Sequence, residues 1–371
     1  MSSLARGARQ AARGAAHRIL HAAPLGLWRR LVPKAEVGVC YHVVANAPVP
    51  HIRHYPFLDT AAFESDLNYL ARRFEFVTYA ELTRRRAAPA SRRRSAVMLT
   101  FDDGFAECAT VVAPLLRRRG LSCVFFVVTD LIDNQMLFRE SAASLCIEAI
   151  ARLPVAQVEA LVAELGLGTH LLPHAGATLS QPTATRPLGL ADLDPAPDPR
   201  LGPLLRWLLQ LPADEEPLAR SLLARLGIDA ADYLQQVKPY LTRAQLRQLH
   251  ADGFTIGAHS LSHRRLQELS QAEAEREIVE SCRIVRELTG QPSVPFAFPY
   301  SGGGLDRSWL AGLRERHEGL GLFFDTNGVC ADEPFVVQRV FGERFTGDRT
   351  LDAILRRAWA HPAAWRRRAP A

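Results

Sequence analysis

Residues Leu121 to Val128 (Leu-Ser-Cys-Val-Phe-Phe-Val-Val) carry no charge and one hydroxyl. A run this short and this apolar reads as a strand buried on both faces, which calls for parallel neighbours and helices covering the sheet. Similar runs recur at Val37 to His42, Phe74 to Thr78, Ser95 to Phe101, Phe254 to Ala258 and Val294 to Tyr300. Helical signals fill the gaps. Asp59 or Thr60 caps a segment whose apolar face is Phe63, Leu67 and Leu70, and Thr242 caps one carrying Leu246 and Leu249 that stops at Gly253. Ser270-Gln271-Ala272-Glu273 is a capping box opening a helix with Ile278, Cys282 and Val285 on one face and Gly290 at its end. Strand, loop and helix repeating over about 250 residues predict an α/β chain folded as a (β/α) barrel, with fewer than eight strands allowed. A doubly wound open sheet is the alternative.

The alternation breaks between 132 and 240. Residues 140–166 are Leu- and Ala-rich and helical in pattern, whereas 172–203 are rich in Pro, Ala, Thr and Asp. The predicted organisation is therefore a basic N-terminal segment (1–36), a barrel built from 37–131 and 241–350, a mostly helical insertion with a Pro-rich middle (132–240), and a basic C-terminal tail (351–371). The insertion reads either as surface elaboration or as a lid over the barrel mouth.

Charge narrows the partners. The net charge is +6, yet Arg6, Arg9, Arg13, Arg18, Arg29, Arg30 and Lys34 stand near the N-terminus without an acid, and five Arg face only Asp352 at the other end. The body between them is net acidic, which excludes a polyanion groove and argues against nucleic acid. The basic N-terminus reads as a solvated or loosely docked helix, or as a peripheral contact with an anionic membrane. No stretch approaches the ~20 apolar residues that span a bilayer, and no secretory h-region is visible, so the expected location is cytoplasmic, with membrane association through the N-terminus as the variant. Cys40, Cys108, Cys123, Cys146, Cys282 and Cys330 are scattered without a CxxC pair, as expected of reduced core residues.

Two strand ends carry the chemistry. Thr100-Phe101-Asp102-Asp103-Gly104-Phe105 supplies two carboxylates, and His259-Ser260-Leu261-Ser262-His263 supplies two imidazoles at i and i+4. An Asp with two His can hold a divalent ion and leave positions open for water and substrate, the layout of a hydrolytic metal site. Taken singly these are bland: Asp-Asp-Gly is a common turn, the two His could be exposed polar residues, and Phe296 to Tyr300 could be core followed by a turn. Their joint order at strand ends is what carries weight.

Thr100 to Gly104, His259 to His263 and Phe296-Ala297-Phe298-Pro299-Tyr300 resemble the first three motifs of the NodB-like polysaccharide deacetylases, carbohydrate esterase family 4. Tyr41-His42 and Phe63-Glu64-Ser65-Asp66-Leu67 extend the resemblance to the exopolysaccharide-biosynthesis type, over roughly 37–130 and 240–345. The resemblance implies a distorted (β/α) barrel of the NodB-homology type that removes acetyl groups from N- or O-acetylated sugars. It implies Asp103, His259 and His263 as metal ligands, Asp102 as general base, and Phe298, Pro299 and Tyr300 as substrate-binding residues. Zn2+ is the expected ion, with Co2+ or Ni2+ compatible. Adjacent carboxylates on an extended strand end would point apart, one to metal and one to substrate.

Two departures stand out. The family often has Arg-x-Pro-Tyr, whose Arg orients the catalytic Asp, and here that position is Ala297; Arg339 is the candidate replacement. The Leu-x-x-His-Asp motif that supplies the acid is absent; His42, at the end of the first strand, is the candidate substitute, while His317 reads as solvated helix. The expected function is a metal-dependent deacetylase acting on an acetamide of an N-acetylhexosamine-containing glycan or lipid-linked precursor. Two competitors are a same-fold amidohydrolase of small cyclic amides or imides, and a non-enzymatic glycan-binding protein with a decayed site.

Overall fold

The computed structural model describes residues 24–31, 36–53, 56–87, 95–167, 198–211, 215–345 and 348–361. The arginines of 1–23, most of the Pro-rich middle of the insertion and the last ten residues of the basic tail lie outside them. Eight parallel strands run β1 (Glu36–Tyr41), β2 (Glu75–Phe76), β3 (Ala96–Phe101), β4 (Cys123–Val127), β5 (Thr255–Ala258), β6 (Val294–Ala297), β7 (Leu320–Asp325) and β8 (Val336–Phe341). Seven of them close on themselves in the order β1-β3-β4-β5-β6-β7-β8, with β1 pairing both β3 and β8, while the two-residue β2 rides on the start of β3. This is a closed (β/α) barrel and not an open sheet.

The period-two pattern of a strand sorts side chains in and out. On β3, Val97, Leu99 and Phe101 face outward into the layer shared with the helices, and Ala96 and Met98 face the barrel axis. Helix Thr60–Ala71 is capped by Asp59 and buries Phe63, Leu67 and Leu70. Helix Gln271–Thr289 opens with the Ser270/Glu273 capping box, ends on Gly290 at φ 72°, and buries Ile278, Cys282 and Val285. Each fully buried apolar side chain of this kind contributes roughly 2 kcal/mol of transfer free energy.

The insertion builds a second core. Helices Arg139–Ile150, Val155–Glu164, Gly202–Leu209 and Glu216–Arg225 pack Leu145, Ile147, Val158, Leu204, Leu208 and Leu222 together. Val43, Val49 and Ile52, which follow β1, and Phe105, which follows β3, join the same cluster, so the insertion sits on the carboxyl ends of the strands. A buried ion pair between Arg53 and Glu148 fastens the seam.

Both ends hold structure that charge counting hid. Residues Leu351–Ala360, read as the start of the basic tail, form a helix that buries Leu351, Ile354, Leu355 and Trp359. Their i, i+3, i+4, i+8 spacing is an apolar stripe, and the arginines occupy the other face. Helix Leu25–Leu31 lies against it, with Arg29 Nη1 donating to the Arg73 carbonyl at 2.7 Å. All six cysteines are free. No helix among the described residues is long and apolar enough to cross a membrane.

Candidate active site

β3 ends at Phe101, and the two carboxylates follow it directly. Asp102 and Asp103 separate by a different route from the one expected: Asp103 has φ 70° and Gly104 φ 75°, so a left-handed turn, not an extended strand end, aims the adjacent side chains apart. A left-handed Asp is tolerated at a cost, and such strain collects at functional sites. Gly104 is fixed further by closeness, since a Cβ there would lie 3.0 Å from Val127 Cγ1.

The second motif leaves β5 in the same manner. Ser260 has φ 68° and His263 φ 60°, and Ser260 Oγ accepts the His263 N–H at 2.8 Å. The loop is held from outside by Glu277, a buried carboxylate on helix Gln271–Thr289, which accepts from Leu261 N–H (2.8 Å), Ser262 N–H (3.0 Å) and Ser262 Oγ–H (2.6 Å). The bends turn both imidazoles toward Asp103. His259 Nε2 and His263 Nε2 each lie 3.5 Å from Asp103 Oδ1, and the three ligand atoms are within 4.8 Å of one another.

That donor set fits a divalent ion. Two ligand atoms at tetrahedral angles around zinc are about 3.4 Å apart for bonds of about 2.1 Å, close to the separations seen. His259 Nδ1 is 2.8 Å from the Ala297 carbonyl, where it can only donate, so the lone pair is on Nε2. Burial pushes the His259 pKa down to about 4, which leaves the ring neutral at pH 7, as a metal ligand must be.

Arg339 is the buried cation of the site. Its Nη1 and Nη2 donate to the two oxygens of Asp102 at 2.7 and 2.9 Å, and Nη1 donates to Thr100 Oγ1 at 3.1 Å. Arg339 reaches Asp102 from inside the barrel, across from β1, where Gly38 leaves the room: a Cβ at Gly38 would meet Arg339 Cγ at 2.5 Å. Burial alone would raise the Asp102 pKa, but the Arg339 guanidinium and His259 hold it well below the usual carboxylate range. Asp102 is therefore always ionised near neutrality, with a single fixed orientation.

His42 lines the same cavity as Asp102, Asp103, His259 and His263, and one of its ring nitrogens lies within 4.8 Å of an Asp102 carboxylate oxygen. Burial opposes charge on this ring, but the Glu343 carboxylate, 3.1 Å from Nδ1, prevails and pushes the pKa up to about 9. The cavity holds about 980 Å³. Phe298 and Tyr300 are in its wall, whereas Pro299 is not. Tyr300 packs on the His263 ring at 4.8 Å and is covered by the Arg265 guanidinium 3.9 Å above its own ring. His317 is far from this cluster in function: it pairs with Glu275 at 3.0 Å and is part-exposed.

Sequence reasoning missed several residues. Arg139 and Glu140, from the first helix of the insertion, meet the Tyr300 hydroxyl in the cavity wall, so the insertion contributes directly to the site. Asp325, at the end of β7, accepts from Gly302 N–H (2.8 Å) and Ser301 Oγ–H (3.1 Å) and anchors the turn after Tyr300. Glu343 left one usable signal, a lone acid just past a strand's carboxyl end.

Residues 90–170 and 212–315 match the polysaccharide deacetylase family model. No curated protein matches the chain. Among solved structures, the Streptococcus pyogenes deacetylase PplD in complex with acetate shares 13% identity at a TM-score of 0.48, covering 83% of this chain and 92% of that one. The de-N-acetylase from Aggregatibacter actinomycetemcomitans shares 15% at 0.46, covering 86% and 99%. IcaB from Ammonifex degensii shares 17% at 0.45, covering 88% and 97%. Over residues 90–170 and 212–315, which span the paired carboxylates and imidazoles, the chain is similar to the polysaccharide deacetylases, and it is a hydrolase of carbon–nitrogen bonds other than peptide bonds.

Proposed function

We propose that this chain removes N-acetyl groups from an N-acetylhexosamine-containing glycan, in a reaction that depends on a divalent ion, Zn2+ first among them, held by Asp103, His259 and His263. The observation that carries the proposal is the Arg339-clamped Asp102 beside that ligand set at the floor of one cavity. Bound there, the ion would polarise the acetyl carbonyl and acidify water. Asp102 takes the proton from the attacking water, and Arg339 keeps its carboxylate ionised and aimed. His42 carries a proton at neutral pH and is the acid for the departing amine. Tyr300 and Phe298 offer rings to a sugar face, and Glu140 with Arg139 fixes the Tyr300 hydroxyl.

A cavity of about 980 Å³ lies at the upper end of the ordinary ligand-pocket range. That size favours an oligosaccharide over a small cyclic imide. The test is acetate release from a panel of N-acetylated oligosaccharides, O-acetylated sugars and cyclic imides, before and after chelation. Acetate from the N-acetylated sugars, lost on chelation and restored by Zn2+, is expected. Turnover confined to imides or esters would refute the assignment.

Glu277 supplies a separate check on the loop. Glu277→Ala removes three hydrogen bonds that shape the His259–His263 turn, and affinity for the ion is expected to fall about 10- to 100-fold. A metal titration of the folded variant measures it, and an unchanged affinity would mean the turn holds itself.

A further inference from the structure

A second cavity, of about 280 Å³, lies beside the first. It opens between residues 326–330, which follow β7, the strand β8 and the helix Leu351–Ala360. The two cavities share Thr326, Phe341 and Phe345 as walls, so at these residues a single layer of side chains divides them. The rings of Phe341 and Phe345 meet edge to face with centroids 5.0 Å apart, and both residues are part-exposed. Arg339 and Glu343 form the buried part of the side cavity's wall, and there Arg339 Nε and Glu343 Oε2 have no hydrogen-bond partner within the protein. Toward solvent the wall carries the exposed His361 and Arg357, whose side chain is 37% exposed and pairs with Asp348.

We propose that this side cavity is the exit for acetate. The inference rests on the deacetylase reading and deepens it. Asp102 and the ligand set lie at the floor of the large cavity, so the acetyl group is cleaved beneath the saccharide that carries it. The saccharide that fills the mouth then blocks the way out for the smaller product. A side cavity of about 280 Å³ is just below the range of ordinary ligand pockets, roughly 300 Å³ and upward, which admits acetate with water and excludes an oligosaccharide. Its wall suits an anion. Arg339 offers a buried N–H with no acceptor in the protein, a position where a polar species belongs. Arg357 and His361 continue the basic groups outward, and such a line favours the passage of a small anion toward solvent. The one carboxylate of the wall, Glu343, is turned to His42 Nδ1 at 3.1 Å. Phe341 and Phe345 are the partition that acetate has to pass. A rotamer change of a part-exposed ring opens it, a motion far faster than a catalytic turnover.

The order of product release reads the route. With a side exit, acetate leaves first and the deacetylated saccharide last, so acetate inhibits noncompetitively against the N-acetylated substrate. With the mouth as the sole route, acetate trapped beneath the saccharide leaves last and inhibits competitively. The experiment measures initial rates of the metal-loaded full chain at varied N-acetylated oligosaccharide and sodium acetate. In the wild type, saturating saccharide is expected to leave the inhibition in place. Ala358→Trp fills the side cavity from the helix Leu351–Ala360, at a residue outside the catalytic machinery, and is expected to make the inhibition vanish at saturating saccharide. Thermal melts establish that the variant is folded. Where it is not, wild-type chain modified at Cys330 with benzyl methanethiosulfonate takes its place, since Cys330 lines the side cavity and the other five cysteines are buried. Competitive inhibition in the wild type, or noncompetitive inhibition that persists in the blocked protein, would overturn the proposal. A wild-type chain that releases no acetate from any N-acetylated saccharide would instead bring down the deacetylase reading beneath it.

Discussion

Replacing His259 or His263 by alanine is expected to abolish both ion binding and acetate release. Each imidazole supplies one of three ligand atoms drawn from Asp103, His259 and His263, and a ligand set cut from three to two holds a divalent ion too weakly to retain it through purification. The fold should survive, because both rings lie at the mouth, on the loop after β5, outside the packed layer of Ile256, Phe125 and Phe254. Metal content by mass spectrometry and thermal melts of the two variants make the comparison. Full metal occupancy in the double variant would remove these residues from the ligand set.

Asp102→Asn is expected to keep the ion and lose about 10³-fold in turnover, within the range for removal of a general base. The amide keeps the size of the carboxylate and can accept one of the two Arg339 hydrogen bonds, but it cannot take a proton. It also leaves Arg339 buried without its counter-charge, and breaking such a pair costs about 3 to 5 kcal/mol. A lowered melting temperature should therefore accompany the loss, and the assay belongs at a temperature where the variant is folded. An Asp102→Asn protein that loses its ion and regains turnover on adding excess Zn2+ would mean that the two aspartates have exchanged roles.

The barrel and the carboxylate–imidazole floor were legible because their signals are local. Leu121 to Val128 and Ser95 to Phe101 announce strands within one glance along the chain, and the structure places β4 and β3 there. The two aspartates are adjacent, and the two histidines are four apart. Arg339 was legible at one remove, from the guanidinium missing at Ala297. What stayed hidden depends on closure. Glu343 stands 301 positions from His42 and reaches it only through the β1–β8 pairing. Glu277 acts through a helix whose sequence shows only an ordinary Glu beside Ile278, and its inward direction depends on how that helix docks. Glu140 belongs to an insertion whose helices were visible and whose place over the mouth was one of two readings; the sequence could not choose between them, because the Val43, Val49 and Phe105 contacts that seat it are non-local. The apolar stripe of Leu351 to Trp359 was within reach of the sequence, and the surrounding arginines masked it.

The most direct test of the central claim is a zinc titration of the chelated protein, scored by acetate release from an N-acetylated oligosaccharide. One ligand set of Asp103, His259 and His263 predicts no turnover at zero ion and a linear rise that saturates at one equivalent per chain. Full turnover in the chelated protein would contradict it.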